Sequence, residues 1–389
     1  MNFSTRTGWD LAENDLTARA RSRSAAGLSL LDLTVSNPTQ CGFHYDSAAL
    51  LAPLADANAL HYTPEPFGTP AARAAVALYY RDHGAGIDPS RICLTTSTSE
   101  AYSFLFRLLC NPGDEILAAC PSYPLFDFLA QLDDVILRDY PLHYDPNANI
   151  RSDSQQGWSI DLASLTAAIT PRTRAVIVVH PNNPTGNFVS AAERIALQSL
   201  CAQRGLALIV DEVFLDYALA APHQSFVSAA SPCLTFVLSG LSKVCALPQM
   251  KASWIVASGP EPLVHSALAR LEVIADTFLS MNAPIQAALP AWMAGRAAIQ
   301  SQIHARIAAN LATLDSRLHG TSSQRLALQG GWTVVLRVPR TGDFATAALD
   351  YGVLVQPGEF YGLPEGRAVL SLLTLPDIWT RGLALLPFD

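Results

Sequence analysis

Seven short apolar runs between residues 91 and 258 restrict this chain more than any other feature. They are RICLTT (91–96), EILAAC (115–120), DVILRDYPL (134–142), AVIVVH (175–180), LALIVDEV (206–213), LTFVLSG (234–240) and SWIVAS (253–258). Segments with a helical period separate many of them, such as SEAYSFLFRLLC (99–110) and SAAERIALQSLCAQRG (190–205). The second opens on a capping serine, Ser190, and closes on Arg204 and Gly205, a start and stop expected of a helix. Strands that are apolar along their length are buried on both faces. Strand–helix alternation of this kind predicts an α/β protein, with a mostly parallel, seven-stranded sheet sandwiched by helices.

The two ends read differently. From Ala283 the text is alanine-rich and helical, then strand-like in GWTVVLRVP (331–339), helical near DFATAALDYG (343–352) and strand-like in RAVLSLL (367–373). This predicts a smaller α+β domain. The N-terminal LLDLTVSNPT (30–39) has no helical partner and is expected to join it. The expected division is an N-terminal segment 1–45, a large domain 46–282 and a small domain 283–389.

Charge and composition exclude several function classes. The net charge of -8 and the lack of a basic run argue against a nucleic-acid partner. No window of about 18 apolar residues predicts a membrane span, and MNFSTRTGWDLAEND lacks the apolar core of a signal peptide. The seven cysteines are scattered without C-x-x-C spacing, as expected of reduced thiols in a cytoplasmic protein. The histidines are dispersed and form no metal set; a lone one such as His180 reads as a satisfied structural residue. No intact dinucleotide fingerprint follows a strand.

In an open α/β sheet a ligand sits outside the carboxyl ends of the strands. After RICL come four consecutive hydroxyl residues, Thr95 to Thr98, and then Ser99 at the start of a helical pattern. Hydroxyls and free N–H groups at a helix N-terminus make an anion cup, though the same residues also serve as plain caps. Tyr123 follows EILAAC, and the turn PNNPTG (181–186) follows AVIVVH. Asp211 ends an otherwise apolar strand, where an unpaired carboxylate is costly, so it calls for a cationic partner. Lys243 follows LTFVL in SGLSK. A hydroxyl cup, an aromatic, an Asn turn, a buried acid and a lysine together fit a flat, cationic heteroaromatic bearing a phosphate and an aldehyde. The cup takes the phosphate, the tyrosine stacks, the acid pairs with a ring N–H and the lysine forms an imine. Pyridoxal 5′-phosphate is such a ligand.

The segments HYTPEPFGTPAAR (61–73), NPGDEI (111–116), PNNPTG, DEVF (211–214) and SGLSKVCALPQMKAS (239–253) together resemble the class I/II aminotransferases, over about residues 30–375. The resemblance implies the fold-type I architecture of pyridoxal-phosphate enzymes. It implies that Lys243 forms the Schiff base, that Asp211 keeps the pyridine nitrogen protonated, and that Asn183 bonds the 3′ oxygen. Tyr123 matches the stacking aromatic, and Thr96, Ser97, Thr98 and Ser242 fall where phosphate ligands sit. Tyr62 matches a tyrosine that reaches the neighbouring subunit's phosphate, which implies a homodimer with shared active sites. Ser36 and Asn37 fall where a loop lies beside the substrate carboxylate.

Five positions depart from the family pattern. Lys251 stands where an arginine usually forks onto the phosphate; lysine keeps the charge and loses the bidentate geometry. Ser97 replaces a frequent glycine, while Gly240 stands where a phosphate-binding serine is common. Phe214 replaces a tyrosine that donates to the 3′ oxygen, which predicts an imine of higher pKa. Val369 aligns with the arginine that clamps the substrate carboxylate. Arg367 lies two residues earlier on the same strand face: either it substitutes or the register is off by two, with Arg337, Arg340, Arg21 or Arg23 behind it, and a substrate other than an ordinary α-amino acid is the third reading.

The expected activity is transamination between an amino acid and a 2-oxo acid. The nearest rival is a pyridoxal-phosphate lyase or cyclase on the same scaffold. A non-catalytic ligand-sensing domain is the remote one, disfavoured by the intact Lys243 and Asp211.

Overall fold

The computed structural model describes residues 1–146, 157–220, 222–228, 230–279, 281–339 and 343–389. The large sheet has the spatial order Ile92–Thr95, Ser253–Ser258, Thr235–Gly240, Ala207–Asp211, Thr173–Val179, Glu115–Cys120, Ile136–Tyr144, Trp158–Ile160. The central pairings, from Thr235–Gly240 across to Ile136–Tyr144, are parallel. Ser253–Ser258 runs antiparallel to both its neighbours, and Trp158–Ile160 is an antiparallel edge. All seven expected runs lie in this sheet. The eighth strand is an addition: three residues, with Trp158 and Ile160 buried around an exposed Ser159, give one alternation and too little pattern to read.

Both faces of the sheet are covered. Leu208, Val210, Val237 and Trp254 pack on one side with Val76 and Tyr80 of the helix Pro70–Asp82. Ile209, Phe236 and Ile255 point to the other, against Phe104 and Leu105 of Thr98–Leu109 and Leu271 of Glu261–Phe278. The helix Ala191–Arg204 begins with a reciprocal capping box between Ser190 and Glu193. It ends at Gly205, whose φ of 65° is the left-handed conformation that glycine adopts at least cost.

The small sheet is antiparallel, in the order Gln324–Arg325, Thr333–Arg337, Arg367–Ser371, Gln356–Pro357. Leu31–Asp32 pairs in parallel with Val353–Leu354, and Leu33 is buried in the core beneath the small sheet. One 36-residue helix, Ala283–Leu318, serves both cores. Ala288, Leu289, Trp292 and Met293 pack with the large sheet's cluster; Ile299, Ile303, Ile307 and Leu314 pack with Val334, Leu336 and Leu370 of the small one. A further helix, Asp15–Ala25, capped by Asn14, precedes the first strand and carries one buried residue, Ala20, too faint an apolar face to announce itself. All seven cysteines are free. Among the described residues no helix is long and apolar enough to cross a membrane.

Candidate active site

The strand Ala207–Asp211 delivers Asp211 at its carboxyl end, buried to 7% exposure. Both carboxylate oxygens are engaged. Oδ1 accepts the Val213 N–H at 3.0 Å, and Oδ2 accepts the hydroxyl of Tyr102 at 3.1 Å. Burial pushes this acid up to about 6, while those two donors and the nearby charge of Lys243 pull the other way. Glu212, next in the chain, faces elsewhere: its carboxylate accepts from Ser225 Oγ and the Phe226 N–H.

Lys243 lies in the one-turn helix Leu241–Val244, reached directly from the strand Thr235–Gly240. Its amine stands 5.6 Å from the ring centre of Phe214 and 5.1 Å from that of Trp332. Phe214 and Trp332 meet edge-on at 5.0 Å. Burial in this aromatic corner lowers the Lys243 amine to about 8, against the opposing pull of Asp211. The Lys243 carbonyl accepts the Tyr217 hydroxyl at 2.7 Å, which fixes the backbone beneath the amine. Gly240 is required by packing: a Cβ there would collide with Ser253 Oγ and come within 3.0 Å of the Ala252 carbonyl. The hydroxyl common at this position in the family would therefore crowd its antiparallel neighbour.

The hydroxyl cup is real as a helix start. Ser97 is the N-cap of Thr98–Leu109, its Oγ accepting the Glu100 N–H at 3.1 Å. Glu100 reaches back to the Thr96 N–H at 2.7 Å. The plain-cap reading thus holds for Ser97, and the Thr96 amide is already engaged. Thr98 and Ser99 occupy the first helical turn, whose N–H groups have no intrahelical acceptor. Ser242 immediately precedes Lys243 and is half-buried. Lys251 is exposed and has the left-handed φ of 51° before the strand Ser253–Ser258.

Tyr123, 40% exposed, follows the strand Glu115–Cys120, with Phe126 edge-on at 5.9 Å behind it. Asn183 sits in a turn tied to the small sheet. Thr333 Oγ1 donates to the Pro184 carbonyl at 3.2 Å and lies 3.4 Å from Asn183 Oδ1. The Gln329 and Gly330 N–H groups both donate to the Gly186 carbonyl. Asn182, beside it, is structural, donating to the Pro121 carbonyl at 3.1 Å and to Thr185 at 2.7 Å. His180 is the satisfied structural residue expected: Nδ1 accepts the Val189 N–H, Nε2 faces the Gln224 carbonyl, and burial drops it to about 3. Tyr62 is 81% exposed and touches none of these groups.

The expectations for the substrate carboxylate fare differently. Val369 is fully buried among Trp158, Leu326, Val335 and Leu363. The residue of that strand beside the 34–37 loop is Ser371, whose Oγ donates to the Val35 carbonyl at 2.7 Å and which pairs with Thr333. Arg367 is four residues away, about 13 Å along the strand at ~3.3 Å per residue. It pairs there with Arg337, donates to the Gly366 carbonyl at 2.9 Å, and lines a cleft with Cys120, Pro121 and Trp158. Arg337 bonds Gln324, Arg21 pairs with Glu13 and Arg23 bonds the Ser29 carbonyl. Arg340 lies outside the described residues. Ser36 donates to the Thr34 carbonyl, and Asn37 Oδ1 accepts from Thr39, so both side chains shape their own loop.

Sequence reasoning missed Tyr102, Trp332, Thr333 and Tyr217. Tyr102 carried a usable signal: a tyrosine on the buried face of AYSFLF must find an acceptor for its hydroxyl. Trp332 and Thr333 come from a loop and strand far along the chain, and Tyr217 from the short 3-10 helix Leu215–Tyr217 after Asp211; local pattern says nothing about their proximity to Lys243.

A family model described as aminotransferase class I and II matches residues 29–375. The chain belongs to the class I and II aminotransferases. Glutamate-pyruvate aminotransferase AlaA of Escherichia coli strain K12 is 28% identical over 280 residues, 71% of this chain and 66% of that protein. Alanine aminotransferase of Mycobacterium tuberculosis strain H37Rv is 29% identical over 283 residues, 72% and 63% of the two. The chain thus spans about two thirds of the length of these curated relatives. Among solved structures, alanine aminotransferase from Pyrococcus furiosus superposes with a TM-score of 0.86 at 22% identity, covering 99% of this chain and 98% of that one. Aspartate aminotransferase from Thermus thermophilus with maleate gives 0.80 at 21%, with the same coverages. These two similarities establish the shared fold.

Pyridoxal 5′-phosphate is the cofactor of aminotransferases of this class, and the donor set fits it. Lys243 is an amine that burial keeps unprotonated in larger fraction near neutral pH, suited to the aldehyde. Asp211 is a buried carboxylate whose two donors leave a lone pair on each oxygen for a cationic ring N–H. The first turn of Thr98–Leu109 supplies amides for a phosphate.

Proposed function

We propose that this aminotransferase-family protein moves an amino group between an amino acid and a 2-oxo acid, with Lys243 as its covalent and proton-transferring residue. The observation that carries this reading is the Lys243 amine, lowered to about 8 in its aromatic corner within the influence of the buried Asp211. When bound, pyridoxal 5′-phosphate supplies an electron sink for the pair left when the substrate Cα gives up its proton. Lys243 Nζ accepts that proton and returns one, a task matched to an amine that titrates near the working pH. In this reading Asp211 faces the ring nitrogen, Tyr123 the ring and Asn183 the 3′ oxygen. Thr98, Ser242 and Lys251 hold the phosphate together with the Thr96–Ser97 cap, and the Ser36–Asn37 backbone lies beside the substrate.

The names of the relatives support an amino acid of the alanine or glutamate type, with pyruvate among the 2-oxo acids. We also read the chain as a cytoplasmic homodimer, divided at residues 46 and 283. The exposure of Leu60, Tyr62, Val273 and Leu279 supports a covered face there, and Tyr62 and Leu279 share one cleft.

A screen of single half-reactions tests the function. The purified yellow holoenzyme is mixed with one amino acid at a time, and conversion to the aminated cofactor is followed by absorbance. Alanine or glutamate is expected to bleach the yellow band and leave the matching 2-oxo acid. Release of ammonia and pyruvate from β-substituted amino acids, with no amine bleaching the band, would move the assignment to a lyase.

A further inference from the structure

Asp211 is held by a residue that none of the site's other roles requires. Tyr102 projects from the second turn of Thr98–Leu109, the helix whose first turn forms the anion cup. Its ring is 2% exposed, edge-on to Phe126 at 5.1 Å and tilted against Phe106 at 6.0 Å. These two rings fix the phenol, and its hydroxyl meets Asp211 Oδ2 at 3.1 Å. The other oxygen takes the Val213 N–H at 3.0 Å, so two donors from different elements set the plane of the carboxylate.

We propose that Tyr102 is a positioning residue for Asp211: its hydroxyl holds the carboxylate ionised and oriented, so that the shared proton stays on the cofactor's ring nitrogen. The inference rests on the reading that Asp211 faces that nitrogen. Burial opposes ionisation of Asp211 and pushes it toward neutrality. A hydrogen bond to the charged form acts in the opposite sense, and charge-assisted bonds are the stronger kind. Without the hydroxyl the carboxylate becomes a stronger base, and the shared proton shifts toward Asp211. A neutral ring is the weaker electron sink, so the one helix would set both the phosphate and the electronic state of the ring.

The other titratable groups near Asp211 do not replace this donor. Lys243 and Tyr123 face it from the ligand side, and Tyr80 lies within its field while accepting the Trp254 indole N–H. The ring of His180, on the adjoining segment, is engaged by Val189 and Gln224, and Glu212 points to Ser225 and Phe226.

The test reads the proton itself. Full-length holoenzyme is loaded with pyridoxal 5′-phosphate carrying ¹⁵N in the ring, and the ¹⁵N shift is recorded at pH 7 for wild type, Tyr102→Phe and Asp211→Asn. In wild type the nitrogen should be protonated. In Tyr102→Phe the ratio of proton on nitrogen to proton on carboxylate should fall about tenfold, the size expected for one lost bond to a charged group. Tyr102→Met, which also lacks the hydroxyl, gives the same reading if the Phe variant is not recovered folded. A purely structural tyrosine would lower thermal stability and leave the shift unchanged; an unchanged shift in the folded variant overturns the inference. If Asp211→Asn also leaves the shift unchanged, the placement of Asp211 itself fails. If only Tyr102→Phe is silent, the inference falls and the site stands.

Discussion

Lys243 and Trp332 face each other across the two cores of the molecule. The lysine comes from the large sheet's carboxyl edge, the tryptophan from the residue just before the small-sheet strand Thr333–Arg337, and amine and ring centre are 5.1 Å apart. The small sheet therefore helps to set the chemistry of a residue borne by the large one. The link is built by Gly331, whose N–H donates to the Tyr217 carbonyl, while the Tyr217 hydroxyl donates to the Lys243 carbonyl.

Replacing Trp332 with alanine removes a side chain that is 1% exposed, at a cost of about 3–5 kcal/mol of stability. Water then reaches Lys243. Loss of the ring face disfavours the ammonium by about 0.5–2 kcal/mol, but relief of burial, the larger influence, favours it. The amine is expected to titrate above 8. Urea unfolding measures the first effect, and the pH dependence of Lys243 acylation in cofactor-free protein the second; an amine unchanged or lower would refute the burial argument.

The Lys243 amine, lowered to about 8 in the folded chain, binds its proton less tightly than in the unfolded one. Its penalty on stability is thus fully present below pH 8 and shrinks as pH rises toward the ordinary lysine value of ~10.4. Asp211 has the opposite shift, raised to about 6, so the stability it contributes is full below its ordinary value and lost as pH climbs through 6. Both penalties operate between about pH 6 and 8. Cofactor-free Lys243→Met should melt at a higher temperature than wild type at pH 7, and the difference should narrow from pH 8 to 10. A difference that widens over that range would contradict the assignment.

Gly240→Ser supplies the hydroxyl common at this position in the family, and the neighbouring strand should reject it. The added Cβ meets Ser253 Oγ and the Ala252 carbonyl, an overpacking expected to cost about 1–3 kcal/mol. Because Lys243 follows three residues later, cofactor occupancy should fall as well. The double variant with Ser253→Gly should recover both stability and occupancy. Full occupancy and an unaltered melting temperature in the single variant would show that the strands yield more easily than their contact implies.

Phe214→Tyr adds a phenol beside the place read here for the cofactor's 3′ oxygen. A donor there stabilises the phenolate and the unprotonated cofactor–lysine linkage. The midpoint of the visible absorption band should fall in the variant relative to wild type. An unchanged or raised midpoint counts against placing Phe214 beside that oxygen.

The large sheet was legible because its central strands are buried on both faces and therefore apolar without interruption. The edge strand Trp158–Ile160 was not, since three residues carry a single alternation. Asp211, Asn183 and Lys243 were legible as polar residues at the ends of apolar strands. The limits appear where the second core meets the first. Val369, aligned with a site position, packs against Trp158 and Leu326 beside a cleft that reaches Cys120 and Pro121, while Ser371 approaches the N-terminal loop. Both point to the same face of one strand, and sequence does not tell how far along that strand the cleft lies. Trp332 and Thr333 reach the site through hydrogen bonds between the Gln329–Gly331 loop and Gly186, contacts between residues about 140 apart that leave no trace in local pattern.

The helix Ala283–Leu318 has a mechanical consequence. It is anchored by Trp292 and Met293 in one core and by Ile299 and Ile303 in the other, with no break between. Opening or closing of the cleft must then flex a rod, since no slack linker joins the halves at this point. The rod is softest near the change of anchorage: Pro290 cannot donate to the preceding turn, and Gly295, with open space beside its Cα, weakens the helix further. Amides between the two anchor points should exchange with solvent faster than those around Ile303, and Gly295→Ala should slow them, stiffening the spring that joins the two halves of the enzyme.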